Sequence, residues 1–338
     1  MKRRLVQWLA CPACGGDLSL HPSRTQEAPS WHAHWASGEP KDDLEILEGS
    51  LQCACGASYP VVEGIPRLLP QGGVAGPGTG HRWTEFQEAV PQFEENFLDL
   101  SQPLQPADWA GKLVLDAGCG FGRHAFFAGR YGAEVVAFDH SPEAVASARK
   151  NLGEAMRTHV VQGDMMHPPF KKGVFDVVYS YGVLHHLNDA RAAFRVLDEL
   201  VRAGGRLSMW VYGPRQGLTR IVTGALRGAT AQMTPEQLHN FSRLIAVNLR
   251  LFSHAPYVYF GALPGLKGVV SHLPVHDHHR WPFGVVVADV YDRLRVPVTG
   301  YFTGEELERW YAEAGYADMQ VSRKVGNNES FRATGIKR

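Results

Sequence analysis

Four groups of residues in this 338-residue chain have the types and spacings that chemistry requires. Cys11-Pro-Ala-Cys14-Gly-Gly and Leu51-Gln-Cys53-Ala-Cys55-Gly are two tight cysteine turns, each followed by glycine. Asp116-Ala-Gly118-Cys-Gly120-Phe-Gly122 is a glycine loop led by a carboxylate, and Asp139 and Asp164 follow the next two apolar runs. His185-His186 and the dense stretch His272-Leu-Pro-Val-His276-Asp277-His278-His279-Arg280-Trp281 supply potential bases, anion contacts or metal ligands.

The five cysteines are unevenly placed, four within the first sixth of the chain and Cys119 alone in the glycine loop, which points to a metal site rather than disulfides. Thiolates of Cys11, Cys14, Cys53 and Cys55 can meet around one zinc ion. Cys53-x-Cys55 is one residue shorter than the usual knuckle spacing, and His21, His32 and His34 lie between the pairs. Whether the fourth ligand is sulfur or a histidine nitrogen therefore stays open.

The glycine loop falls where an apolar strand gives way to a helix, so that backbone N–H groups and a helix N-terminus aim at a closely approaching ligand. Such a loop would equally open a dinucleotide fold. Three carboxylates favour S-adenosylmethionine (SAM). Asp116, before the first glycine, is placed to orient the ammonium of the methionine part. Asp139, with His140 beside it, ends the next strand where it can take both ribose hydroxyls. Asp164 follows the third strand, where it can accept from the adenine amino group while Met165 packs on the ring.

These residues need a frame, and the chain alternates strand and helix from Lys112 onward. Strands are expected at Leu113–Ala117, Glu134–Phe138, around Val160-Val161, at Val174–Tyr179 and at Arg206–Tyr212. Helices are expected at Arg123–Arg130, from the Ser141-Pro142 cap to about Asn151, and at Asp189–Val201. Thr303-Gly-Glu-Glu306 is a capping box opening a helix to about Ala314, followed by a hairpin of 316–324 with 330–337. The expected architecture is an α/β, doubly wound, seven-stranded Rossmann-like sheet with its ligand at the carboxyl ends of the strands. Residues 213–299 break the alternation and read as a helical insertion forming a substrate lid. Residues 1–70 read as a small zinc-binding domain, the glycine-dense 71–80 as a linker, and 81–338 as the main domain, entered through one or two amphipathic helices carrying Trp83, Phe86, Phe93, Phe97 and Trp109.

The ending Tyr59-Pro-Val-Val-Glu-Gly-Ile-Pro-Arg-Leu-Leu-Pro70, with the cysteine pairs before it, resembles the small zinc-binding adaptor proteins that partner tRNA and translation-factor methyltransferases. That resemblance covers about residues 8–70 and implies a structural or docking element without chemistry of its own. Residues 112–212 resemble the class I methyltransferases of the ubiquinone/menaquinone-biosynthesis type. The stretches that match are Val114-Leu-Asp-Ala-Gly-Cys-Gly-Phe-Gly122, Phe138-Asp-His-Ser141, Gly163-Asp164, Phe175-Asp-Val-Val-Tyr-Ser-Tyr-Gly-Val-Leu-His-His-Leu187 and Arg202-Ala-Gly-Gly-Arg-Leu207. By this resemblance Ser180 and Tyr181 lie beside the methionine part of SAM, and the match covers the cofactor half only.

Methyl transfer needs an in-line nucleophile, exclusion of water and sometimes a base. His185 and His186, after the fourth strand, and His278 and His279, in the insertion, are the candidate catalytic residues. His167-Pro-Pro-Phe170 precedes the fourth strand and reads as a turn, not as an amino-group methyltransferase motif. The leading expectation is methylation of a small molecule, a metabolite or natural product. The alternatives are a methyltransferase acting on RNA or protein through the first module, and a non-catalytic SAM-fold interaction protein. Lys+Arg and Asp+Glu both number 34, which argues against nucleic acid as a partner. A protein partner or a homodimer through residues 1–70 remains compatible with the pattern. The first residues have no hydrophobic region of signal-peptide form and no apolar run reaches membrane-spanning length, so the expected location is the cytoplasm with no membrane partner.

Overall fold

The computed structural model describes residues 1–27, 44–70, 91–153, 157–214, 217–271, 273, 276–295, 300–324 and 327–338. His32, His34, the expected linker 71–80, Trp83, Phe86 and His272 lie outside the described residues. The chain forms two compact units, Met1–Pro214 with Val298–Arg338, and Arg215–Pro297.

In the first unit the expected alternation is present. Strands β5 (Leu113–Ala117), β6 (Glu134–Asp139), β7 (Thr158–Gly163), β8 (Phe175–Tyr181) and β9 (Val201–Tyr212) are parallel, and β10 (Tyr316–Lys324) and β11 (Asn327–Lys337) close the sheet as an antiparallel hairpin. Their spatial order is β7-β6-β5-β8-β9-β11-β10. The chain starts in the middle at β5, winds outward to β7, then crosses back to β8. At such a reversal a doubly wound sheet has its ligand position, which here falls beside the carboxyl end of β5.

Local chemistry sets the helices. α2 (Arg123–Arg130) follows the glycine loop; α3 (Pro142–Leu152) is capped by Ser141 Oγ, which accepts from Ala144 N at 3.2 Å, with Pro142 at its first position. α4 (Ala190–Leu200) is capped by Asp189 and buries Ala193, Phe194, Leu197 and Leu200, an i, i+1, i+4, i+7 stripe. Before β5, α1 (Pro91–Ser101) buries Phe93 and Phe97, and Phe97 packs on Trp109 at 5.1 Å. Strand β9 starts five residues earlier than the hydrophobic pattern predicts. Val201 pairs with Phe175, and an irregularity before Val177 absorbs Arg202-Ala-Gly-Gly205 into the ladder. A side chain at Gly205 would stand 2.9 Å from Asp176 O, so the strands approach there only because the residue is glycine.

The sheet does not stop at seven strands. β1 (Leu18–Glu27), β2 (Leu44–Cys53), β3 (Ser58–Val62) and β4 (Ile65–Leu68) form an antiparallel run, and β4 then pairs in parallel with β7 through Arg67↔Gln162 and Leu68↔Gly163. Among the described residues these strands make one eleven-stranded sheet. The small module is separate along the chain but continuous in the sheet, because β7 would otherwise present an unpaired edge. Side chains reinforce the join: Arg67 Nη1 donates to Gln162 Oε1 at 3.0 Å, Arg149 of α3 pairs with the buried Glu45 of β2, and Arg4 Nε lies 2.8 Å from Glu134 of β6. Glu134 also meets His159 of β7 at 3.0 Å, and burial holds that imidazole down to about 4. Trp8 sits edge-on to His159, and Ala10 N donates to Pro169 O at 2.9 Å.

The second unit is helical, as the lack of alternation predicts: α5 (Gly217–Thr230), α6 (Pro235–Leu249), α7 (Ala255–Phe260), α8 (Lys267–Val270) and α9 (Phe283–Arg295). A capping box between Thr234 and Gln237 starts α6, which packs on α9. In the first unit α10 (Gly304–Glu313) begins with the predicted Thr303–Glu306 box. Among the described residues, no helix is long and apolar enough to cross a membrane.

Candidate cofactor site and metal centre

The glycine loop is held by main-chain bonds from both sides. Gly118 N and Cys119 N both donate to Phe138 O, at 2.8 and 3.0 Å, which fixes the loop to the end of β6. Gly118 has φ +87°, and a Cβ there would stand 2.4 Å from Val183 Cγ2 on the chain leaving β8. Glycine is demanded twice over, by dihedral and by space.

Asp116 is 1% exposed, and its Oδ2 is buried without a conventional hydrogen bond. Burial pushes its carboxyl up to about 7; the Tyr179 hydroxyl opposes that shift, the nearby Asp139 adds to it, and the Ala125 amide opposes it. A buried acid with an unused oxygen at the switch point suits a cationic group such as an ammonium.

Asp139 does more than the sequence suggested. Its Oδ2 accepts from Gly120 N and its Oδ1 from Ser141 N, both at 2.9 Å, so one carboxylate pins the cofactor loop to the start of α3. Each oxygen keeps a further lone pair for a diol. His140 is half exposed with its ring 4.0 Å from Asp139, and its carbonyl accepts from Gln162 Nε2. Asp164 accepts from Met166 N at 3.0 Å and pairs with His167 Nδ1 at 2.9 Å, so the His167-Pro-Pro segment is the tight turn expected of it. Met165 is buried in the apolar cluster beside it.

Ser180 and Tyr181 are engaged within the sheet. Ser180 Oγ donates to Ala117 O at 2.8 Å, tying the tips of β8 and β5. Tyr181 shares a 3.1 Å hydrogen bond with Ser208 Oγ and stacks on Tyr179 at 4.7 Å. As neighbours on a strand they point to opposite faces.

The two adjacent histidines separate. His185 is wholly buried, stacked on Tyr212 at 3.9 Å, and its carbonyl accepts from Gly300 N. His186 is half-buried at the loop. In the other unit, His278 is buried and stacks on Trp281 at 4.0 Å with Nδ1 3.6 Å from Asp289 Oδ2, while His279 Nδ1 meets His276 O at 3.0 Å.

The four module cysteines converge: their Sγ atoms all lie within 4.8 Å of one another, with Cys11–Cys55 at 3.8 Å and Cys14–Cys53 at 3.5 Å. Zinc–sulfur bonds of about 2.3 Å give tetrahedral edges of about 3.8 Å. These separations exceed a disulfide bond and match that edge. His21 sits away in β1, against Ser19 at 3.3 Å. The short Cys53-x-Cys55 spacing works because Cys53 ends β2 and Cys55 sits in the following turn.

What sequence reasoning missed are the groups that hold these sites from behind: Tyr179, stacked on Tyr181, and Glu45 and Glu134, which carry the junction of the module. Isolated polar residues in apolar runs, as in Leu44-Glu-Ile and Ala133-Glu-Val, were the signal that could have found them.

A doubly wound sheet with a glycine loop, a buried acid at the first strand and acids after the next two defines the class of proteins that hold SAM. A methyltransferase-domain family model matches residues 115–209, and a Trm112p-like protein model matches residues 2–64. A ubiquinone biosynthesis O-methyltransferase of Sodalis glossinidius is 31% identical over 170 residues, covering 48% of this chain and 67% of its own. An O-methyltransferase of Penicillium expansum is 36% identical over 108 residues, 31% of this chain and 38% of its own. A solved complex of the Haloferax volcanii Trm112 methyltransferase activator with a methyltransferase has a TM-score of 0.44 and 11% identity, covering 76% of this chain and 93% of that one. The chain belongs to the class I SAM-dependent methyltransferases, with a Trm112p-like module at residues 2–64. It spans 38% and 41% of two of its curated relatives, the fungal enzyme and a malonyl-[acyl-carrier protein] O-methyltransferase of Legionella pneumophila.

Proposed function

We propose that this protein transfers the methyl group of SAM to an oxygen of a small organic molecule. The observation that carries the reading is Asp116, a fully buried carboxylate with an unused oxygen at the switch point of the sheet. Bound SAM supplies an electrophilic methyl group on a sulfonium. Asp116 holds the ammonium of the methionine part, with Gly118 and Gly120 giving backbone access. Asp139, with His140 beside it, takes the ribose hydroxyls; Asp164 and Met165 take the adenine. Ser180 and Tyr181 shape the wall near the methionine part from positions fixed by Ala117 and Ser208.

Acceptor oxygens become good nucleophiles only as their proton leaves, so a base is needed at the mouth. His186, half-buried after β8, is our choice in the first unit, and His185 is a brace because its ring is enclosed. His278 and His279, in the other unit, are the further candidate residues for acceptor chemistry. One zinc ion held by Cys11, Cys14, Cys53 and Cys55 gives the module its rigidity. Names of the curated relatives, several of them O-methyltransferases, support oxygen as acceptor.

Methylation of RNA or protein through the module has less support. Its strand β4, the inner edge of the module's sheet, is already paired with β7. Calorimetry with SAM and S-adenosylhomocysteine, followed by methyl transfer from labelled SAM to catechols and hydroxybenzoates, tests the proposal. Absence of SAM binding sinks it, and labelling of macromolecules alone moves the acceptor to the other class.

A further inference from the structure

Helix α6 has two apolar faces. Leu238, Ser242 and Ala246, spaced i, i+4, i+8, are buried as α6 packs on α9. Leu244 and Val247, spaced i, i+3, are exposed, and Leu251, at i+7 in the helical turn that follows α6, is exposed too. Beyond α6 the exposed series continues with Phe252 at 70%, Val258, and Tyr259 at 75%. Leu263, Leu266 and Val269 follow around the turn into α8, also exposed. An uncovered apolar run of this length on a globular unit marks a contact surface.

Its charge says what kind. Between Glu236 and Asp277 the sequence has no Asp or Glu, and residues 215–297 carry nine Lys and Arg against four Asp and Glu, in a chain whose totals balance. Exposed Arg243 and Lys267 border the apolar residues. Aromatic and aliphatic side chains beside cations, with acids excluded, are the chemistry of an element lying in the interface of an anionic bilayer, where apolar groups enter the acyl boundary and cations meet headgroups.

We propose that the face bearing Leu244, Val247, Leu251, Phe252, Val258 and Tyr259 docks on an anionic membrane surface. No helix among the described residues can cross a bilayer, so the contact is interfacial. The inference stands apart from methyl transfer, since it rests on this surface alone.

The test is co-sedimentation of the full chain with vesicles of phosphatidylcholine, with and without an equal part of phosphatidylglycerol, at low and high salt. Anionic vesicles should bind about tenfold more protein than neutral ones, with the excess lost at high salt. The triple variant Leu251→Ser, Phe252→Ser, Tyr259→Ser should lose about tenfold of that binding at an unchanged unfolding midpoint. Should that variant unfold, Arg243→Glu with Lys267→Glu replaces it and should abolish the preference for anionic vesicles. Equal binding of wild type and variant, or no binding to anionic vesicles, overturns the proposal. A concentration-dependent dimer abolished by the same substitutions also overturns it, assigning the face to a second copy.

Discussion

Asp116 of β5 stands directly opposite Tyr179 of β8 in the parallel ladder, and both side chains are buried. Burial raises both: the carboxyl to about 7 and the phenol well above its usual range. The free protein therefore keeps an acid that titrates near neutrality, at the position proposed above for the ammonium of SAM.

That relationship predicts a pH dependence of binding. An ammonium favours the ionised carboxylate, so SAM affinity should be flat above pH 7 and fall by up to about tenfold for each unit below it. For stability the sign is opposite. The folded protein keeps a proton that the unfolded chain releases between about 4 and 7, so stability contributed by Asp116 is lost as pH rises through that window. Calorimetric titration with SAM from pH 5.5 to 8.5 checks the first statement. Asp116→Asn should weaken binding by about 10- to 100-fold and flatten the profile; a wild-type profile already flat across pH 7 refutes the assignment.

Gly118→Ala should abolish SAM binding and cost about 2–4 kcal/mol of stability, combining a left-handed backbone with a clash against Val183. Val183→Ala in the same background removes Cγ1 and Cγ2 and should recover part of the loss, leaving the dihedral cost of about 1–2 kcal/mol. Chemical denaturation of the four proteins of this cycle measures the coupling. Simple additivity would show that Val183 is not the obstacle.

Elemental analysis should find one zinc per chain. Chelation should lower the melting temperature of the whole first unit, not only of its small module, because β4 and β7 belong to one ladder. Two well-separated transitions after chelation would contradict the continuous sheet.

Arg149→Ala leaves the buried Glu45 with a partner removed and should destabilise the first unit by about 2–4 kcal/mol. Thermal unfolding reads this directly. A change within about 0.5 kcal/mol would place the pair among ordinary surface contacts.

His186→Ala should lower kcat by about 100-fold with little change in melting temperature. His185→Ala should do the reverse in kind, lowering the melting temperature as it empties the stack on Tyr212. If only the His185 variant loses activity at full stability, the two roles are exchanged.

Much of the site is legible in the order of residues alone. The bounds of β5 and α2, the Ser141-Pro142 start, the capping box at Thr303 and the four clustered cysteines follow from patterns confined to a few neighbouring residues, where propensity, caps and glycine dihedrals act. The double duty of Asp139 is not legible there, since Gly120 lies on another loop and nothing in sequence says which amides a carboxylate will meet. The early start of β9 is hidden for a similar reason, as it depends on a close approach to Asp176.

By itself the sequence determined which residues are equipped for chemistry and, through alternation of strand and helix, that three acids would stand at the ends of three successive strands. Only the tertiary structure decided that Cys55 completes the sulfur cluster, that His185 is enclosed while His186 is not, and that the small module extends the large sheet. Each of those outcomes depends on pairing between segments far apart in the chain. Strand edges pair through backbone groups common to every residue type, so sequence pattern marks the strands but not their neighbours.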